Sequence, residues 1–239
     1  MKAYLIAVAV LLTGINARAQ KFLINDKNAE MRTVAAFSSI EVSSAISLYI
    51  SQGDEVGVAV SSNTKDATDR IRTEVKDGVL KIWFDGRGWN LRGDRKMKAY
   101  VSVNDLSSIK ASGACDVSIM GVLKVNRLNV ELNGASDMTG QMECKELSLN
   151  LTGASDLKLK GNIGNLSAKL SGASSVKGWD LVTDFCEVNA SGASAFNVVV
   201  NKEISAIASG ASDIKIRGEG LIRDMKSSGA SSISRKEGR

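Results

Sequence analysis

Leu147-Ser148-Leu149-Asn150-Leu151-Thr152-Gly153-Ala154-Ser155-Asp156-Leu157-Lys158-Leu159-Lys160-Gly161 decides the fold of this 239-residue chain. Apolar and polar residues alternate on both sides of Gly153. Period-two alternation is the mark of a strand with one buried face. Glycine reaches positive φ at no steric cost, so Thr152–Ser155 reads as a tight turn. Gly161 opens a second turn. The unit is strand, turn, strand, turn.

The same unit recurs. Its glycines are Gly113, Gly134, Gly153, Gly172, Gly192, Gly210 and Gly229, each followed by alanine, at spacings of 21, 19, 19, 20, 18 and 19 residues. A near-fixed period of this length predicts a solenoid, in which each repeat buries its apolar face against its neighbours. Six residues before the glycine stand Leu128, Leu147, Leu166, Cys186 and Ile204. Four residues after it stand Val117, Met138, Leu157, Val176, Phe196, Ile214 and Ile233. Equivalent strands should therefore pair in parallel, Leu132 with Leu151 and Leu151 with Leu170. The expected fold is all-β: a single-domain parallel β-helix with roughly 19-residue coils, right-handedness being assumed. The alanines are expected to fill a crowded corner. Ser136, Ser155, Ser174, Ser194, Ser212 and Ser231 are expected to stack and pass hydrogen bonds from coil to coil, with Cys115 as an isosteric exception.

The ends differ from this pattern. Lys2, the apolar run Ala3–Leu12 and Ala17-Arg18-Ala19 read as a secretory signal peptide over 1–19, with the mature chain starting at Gln20. The apolar run is shorter than a bilayer span requires. Residues 20–36 form a leader segment. From Phe37 to Lys110 the alternation is irregular and reads as capping coils, which protect the solenoid's end; 111–239 carries the regular repeats.

Composition excludes several functions. There is no histidine, which removes Ser-His and Cys-His nucleophile pairs and the commonest zinc ligand. The formal net charge is +5 and the charges are interspersed, so no nucleic-acid partner is expected. Proline is absent, consistent with a chain made of ladders. The three cysteines, Cys115, Cys144 and Cys186, differ in repeat position and read as small buried side chains rather than a disulfide ladder.

Phe37-Ser38-Ser39-Ile40-Glu41-Val42, Val75-Lys76-Asp77-Gly78-Val79-Leu80-Lys81-Ile82, Val101-Ser102-Val103 with Leu106-Ser107-Ser108-Ile109, and then the Ser-Gly-Ala-Ser repeats resemble the family called putative autotransporter adhesin, head GIN domain. The resemblance runs from about Phe37 onward. It implies an exported, largely β protein of Bacteroidetes type with a β-helical body, placed in the periplasm, on the outer-membrane surface or outside the cell.

Two side-chain groups are candidates for chemistry. Trp83, Phe84, Arg87, Trp89, Arg92 and Arg95 cluster around the polar loop 86–98. They either stack on a sugar or anchor a protein, or they belong to a strand and cover a coil edge. Arg92-Gly93-Asp94 within this loop is the tripeptide integrins recognise, a match that arises easily by chance. Asp116, Asp137, Asp156 and Asp213 each stand three residues after a repeat glycine. Asp116, Asp137 and Asp156, on adjacent coils about 5 Å apart, would either chelate calcium or cap turns; the absence of the calcium-binding nonapeptide favours capping. No catalytic residue, metal or cofactor is assigned. The expected function is a non-enzymatic structural or adhesion-type protein binding a protein or glycan partner. The alternative is a β-helical carbohydrate-active enzyme working through carboxylates.

Overall fold

The structure is a computed structural model that describes residues 26–88 and 96–236. Its strands are β1 (Glu30–Arg32), β2 (Ser39–Val42), β3 (Ser47–Gln52), β4 (Gly57–Ser61), β5 (Ile71–Lys76), β6 (Val79–Phe84), β7 (Lys98–Val103), β8 (Ser108–Ala111), β9 (Asp116–Leu132), β10 (Asp137–Leu151), β11 (Asp156–Leu170), β12 (Ser175–Ala190), β13 (Ala195–Ala208), β14 (Asp213–Arg217), β15 (Leu221–Ser227) and β16 (Ser232–Arg235). One short helix, α1 (Lys65–Asp69), starts at Thr64, whose hydroxyl accepts the Ala67 N–H. The strands form a parallel β-solenoid of about 7 turns, about 19 residues apart.

Register follows the repeat. Leu151 pairs with Leu132 on one side and Leu170 on the other, both in parallel. Within β10 the inward side chains are Met138, Met142 and Cys144, then Leu147, Leu149 and Leu151. Two outward residues in succession, Lys145 and Glu146, mark a corner between these arms. The strand nevertheless runs on from Asp137 to Leu151, because the ladder to the neighbouring coils continues around the corner. The second turn is expected at Gly121, Gly161 and Gly218. The first two sit within continuous strands with φ of +83° and +118°, so the turn there is a bend, whereas at Gly218 the strand breaks between β14 and β15.

The turn column is built from backbone. The Ala154 N–H donates to the Gly134 carbonyl at 2.7 Å, and Ala173 and Ala193 repeat this on Gly153 and Gly172 at the same distance. Gly153 has φ +81°, and a Cβ on it would lie 2.4 Å from the Gly134 oxygen. Stacking this close excludes any side chain.

Two expectations about this turn are corrected. Ala154 and Ala173 face solvent, whereas Ser155 and Ser174 are buried. The residue after glycine supplies an N–H to the coil below, and its Cβ points away from the core. The serine hydroxyls reach another coil at two places, Ser136 Oγ accepting the Cys115 N–H at 3.4 Å and Ser231 Oγ donating to Ala208 O at 3.0 Å; elsewhere they stay within their own turn. Ser155 Oγ donates to Thr152 O at 3.0 Å, Ser174 Oγ to Ser171 O at 2.8 Å and Ser194 Oγ to Ser191 O at 2.7 Å, each within its own turn. The backbone ladder already joins the coils, so the buried hydroxyl satisfies the turn's spare carbonyl. Cys115 is the isostere: its Sγ donates to Ser112 O at 3.3 Å.

Rungs before the first repeat glycine are stacked out of chain order. β2 and β3 form one rung, joined by Ser43–Ile46. β2 lies between β6 and β8, and β3 between β7 and β9. Ser44, with φ +70°, thus stands where later coils have glycine, one rung below Gly113. β6 and β7 form the rung beneath, joined by residues 85–97. Antiparallel strands finish this end: β4 on β7, β1 on β4, and β5 on β6.

Candidate ligand-binding face

Outward residues of the arm before each turn form columns along the solenoid. Seven residues before the glycine the column reads Arg127, Glu146, Asn165, Phe185, Glu203, in ladder register throughout. Two residues further on it reads Asn129, Ser148, Ser167, Glu187, Ser205. An open groove of about 600 Å³ runs between the two columns, floored by Leu128, Leu147, Leu166 and Cys186. Phe185 stands in it 43% exposed, a large aromatic that the protein leaves in water. Lys202 lies over its ring at 5.4 Å and is held by Asp184 at 2.8 Å.

The groove's charges are arranged in pairs. Arg127 Nε meets Glu146 at 2.9 Å at one end, and Arg223 meets Glu203 at 3.0 Å at the other. Glu187 makes no ion pair among the described residues. Strands on a 4.7–4.9 Å spacing thus present a row of carboxylates, amides and hydroxyls around one aromatic ring. Such a row supplies hydrogen-bond donors and acceptors at a spacing close to the rise of a pyranose unit in an extended chain. The next column shows how stacked charge is managed: Lys81, Glu41, Lys110 and Glu131 alternate in sign, with ion pairs of 3.8 and 3.5 Å.

The groups singled out in the sequence lie elsewhere. Trp83 points outward from β6, opposite Arg72 of β5, and Phe84 packs partly buried against the core. Arg87 is turned back on Asp85, with two hydrogen bonds of 3.0 Å. Those bonds hold the Asp85 carboxyl down to about 2. Trp89, Arg92 and Arg95, with Arg92-Gly93-Asp94, lie outside the described residues. The structure therefore brings Trp83, Phe84 and Arg87 to the capped end, away from the groove. The sequence does not single out the groove, because the glycine-minus-seven residues Arg127, Glu146, Asn165, Phe185 and Glu203 are of no single residue type. The signal it does leave is positional: it is where two outward residues follow each other.

Asp116, Asp137 and Asp156 do stack in register. Their carboxylates serve the ladder and nearby cations. Asp137 accepts the Asp156 N–H at 3.2 Å, and Asp156 holds Lys177 at 3.0 Å. Asp213 accepts from Ser232 Oγ at 2.6 Å and pairs with Lys215. Among the described residues no three Asp, Glu, Cys or His side chains come together as a metal site.

Comparison with known proteins places the chain. The family model described as putative auto-transporter adhesin, head GIN domain, matches residues 36–220. The chain belongs to this family. A search of curated proteins returns no match. Among solved structures, a putative adhesin from Bacteroides fragilis NCTC 9343 is similar at 22% identity and a TM-score of 0.81, over 87% of this chain and 96% of that one. A putative lipid binding protein from Parabacteroides distasonis ATCC 8503 is similar at 19% identity and a TM-score of 0.68, over 89% and 98%. A putative adhesin from Parabacteroides merdae ATCC 43184 is similar at 13% identity and a TM-score of 0.69, over 87% and 95%. At these identities the likeness is one of fold. No helix among the described residues is long and apolar enough to cross a membrane.

Proposed function

We propose that this head GIN protein is an exported, non-enzymatic adhesion-type protein that holds a glycan or protein partner in the groove beside Phe185. The exposed ring carries the proposal. A large aromatic side chain left in water, flanked by Asn165, Ser167 and Glu187, offers an apolar platform with polar groups at its rim. The family to which the chain belongs is named for adhesion, which agrees with a binding role. Export rests on the leader expected at 1–19.

A second reading has one observation in its favour. Glu146, Glu187 and Glu203 share the groove, and β-helical carbohydrate-active enzymes work through carboxylates. Two of the three are already engaged, Glu146 by Arg127 and Glu203 by Arg223, so only Glu187 stands in the groove without an ion pair among the described residues.

A glycan array probed with the purified chain tests both. Binding lost in Phe185→Ala and retained in Trp83→Ala supports the groove. Equal loss in both variants, or in neither, counts against it. Shortened products from any bound glycan would favour the enzyme.

A further inference from the structure

The two ends of the solenoid are finished differently. Antiparallel strands finish the end near β6 and β7, with β1 and β5 as its edge strands. At the other end β15 pairs only with β13, and β16 only with β14. Among the described residues no strand lies on their outer sides. Leu221 is 74% exposed and Ile222 47%, while Met225 and Ile233 lie partly buried on the end of the core. An unpaired edge beside apolar side chains is a template for another strand.

We propose that this end docks against the same end of a second copy of the chain. The two last coils meet edge to edge about a two-fold axis, with β15 antiparallel to its counterpart. A two-fold contact uses one patch on both sides, so the patch must complement itself. β15 does so in one antiparallel register. Set Ile222 opposite Met225 of the second copy, and Arg223 falls opposite Asp224, with Leu221 opposite Lys226 along the outer face. Ile222 and Met225 continue the columns of Ile204 and Ala206, so apolar side chains meet and the core runs on across the axis. Each copy contributes one Arg223 and one Asp224, giving two opposite-charge contacts.

These charges now have local partners. Arg223 pairs with Glu203 at 3.0 Å and Asp224 with Lys226 at 2.8 Å. Both pairs are exposed, and exchanging exposed ion pairs costs little. Charged side chains on an edge also defend it against indiscriminate pairing. The arrangement on β15 rejects a generic strand and accepts its own reverse. Assembly stops at two, because a two-fold contact uses the β15 edge of both copies and leaves no second β15 free.

Sedimentation equilibrium on the full chain tests the proposal. A 25.3 kDa protomer should give way to a species of twice that mass as concentration rises. Arg223→Asp sets Asp opposite Asp224 at both contacts and should weaken association about tenfold or more. Adding Asp224→Arg to that variant should restore it. Leu221→Cys with Lys226→Cys provides an independent check, since the two positions face each other only between copies. Within one chain they lie too far apart on an extended strand for a disulfide. The double variant should oxidise to a covalent dimer, and Leu221→Cys alone should not. A protein that stays monomeric throughout overturns the proposal. So does a dimer that ignores the charge reversal and does not cross-link, or growth into open polymers.

Discussion

Gly153 and Ala154 are adjacent, and a side chain is tolerated at only one of them. Gly153 needs φ +81° and stacks its backbone on Gly134, where a Cβ would sit 2.4 Å from an oxygen. Gly153→Ala should therefore cost at least about 1–3 kcal/mol, the range for backbone held in a disfavoured region. Ala154 faces solvent, so Ala154→Leu should change stability by no more than about 0.5 kcal/mol. Urea unfolding of the two variants beside the parent separates these outcomes. A large loss from Ala154→Leu would mean that the alanine packs inside after all. Ser155→Ala leaves the Thr152 carbonyl unmatched in a buried turn and should cost about 1–3 kcal/mol. The sequence motif makes glycine, alanine and serine look alike in importance. Only the direction of each Cβ separates them, and that direction is set by the turn's handed backbone.

The regular coils were legible because each inward position recurs every coil. Alternation about Gly134, Gly153 and Gly172 fixes the register of β9 to β12, since a one-residue slip would turn every leucine outward. The rung of β2 and β3 was only half legible. Ser43-Ser44-Ala45-Ile46 is the same turn with serine in the glycine's place, and without glycine it does not resemble the repeat. β1, β5 and β8 carry no repeat signal in the sequence. β1 and β5 are edge strands held by antiparallel partners, and such pairing leaves no period in the sequence. The aspartate column is an element-scale feature with its own test. Asp137 and Asp156 are engaged by a backbone N–H and by Lys177, and their carboxylates do not converge. Calcium and EDTA should leave the thermal transition unmoved. A chelator-sensitive melt that Asp137→Asn abolishes would show a cation between the coils. The groove was illegible for a different reason. It depends on Phe185 rising beside Asn165 and Glu203, which requires the ladder to be counted through corners of unequal length.

Across the whole molecule, the capped end is pinned by one carboxylate. Asp26 accepts from Tyr100 Oη at 2.6 Å, Ser61 Oγ at 2.9 Å and Lys98 Nζ at 3.3 Å, tying the start of the described chain to β4 and β7. Burial alone would raise its pKa, but these hydrogen bonds and Lys98 outweigh burial and hold it below the ordinary 3.8. The sign follows from that depression. Its contribution to stability is present above about pH 4 and is lost as pH falls through the lowered value. Asp26→Asn should lower the melting temperature at neutral pH and flatten the acid limb below about pH 4. An unchanged acid limb would show that Asp26 does not hold the cap. The thiols report on the whole body. Cys115, Cys144 and Cys186 are free and buried, and burial pushes the Cys186 thiol up to about 12. Ellman's reagent should find no fast thiol in the native chain and all three in denaturant; a fast native thiol would reveal an open coil. The shuffled rung has a consequence for how the chain is made. β2 and β3 end up between strands that come later, β6 and β7 on one side and β8 and β9 on the other. A chain emerging from its N-terminus cannot finish this rung until residues near Met120 have followed. Until then its apolar edges, Ile40, Leu48 and Ile50, stay bare and need a chaperone or speed. After that point every coil finds its template already waiting, and the remaining half can wind on one turn at a time.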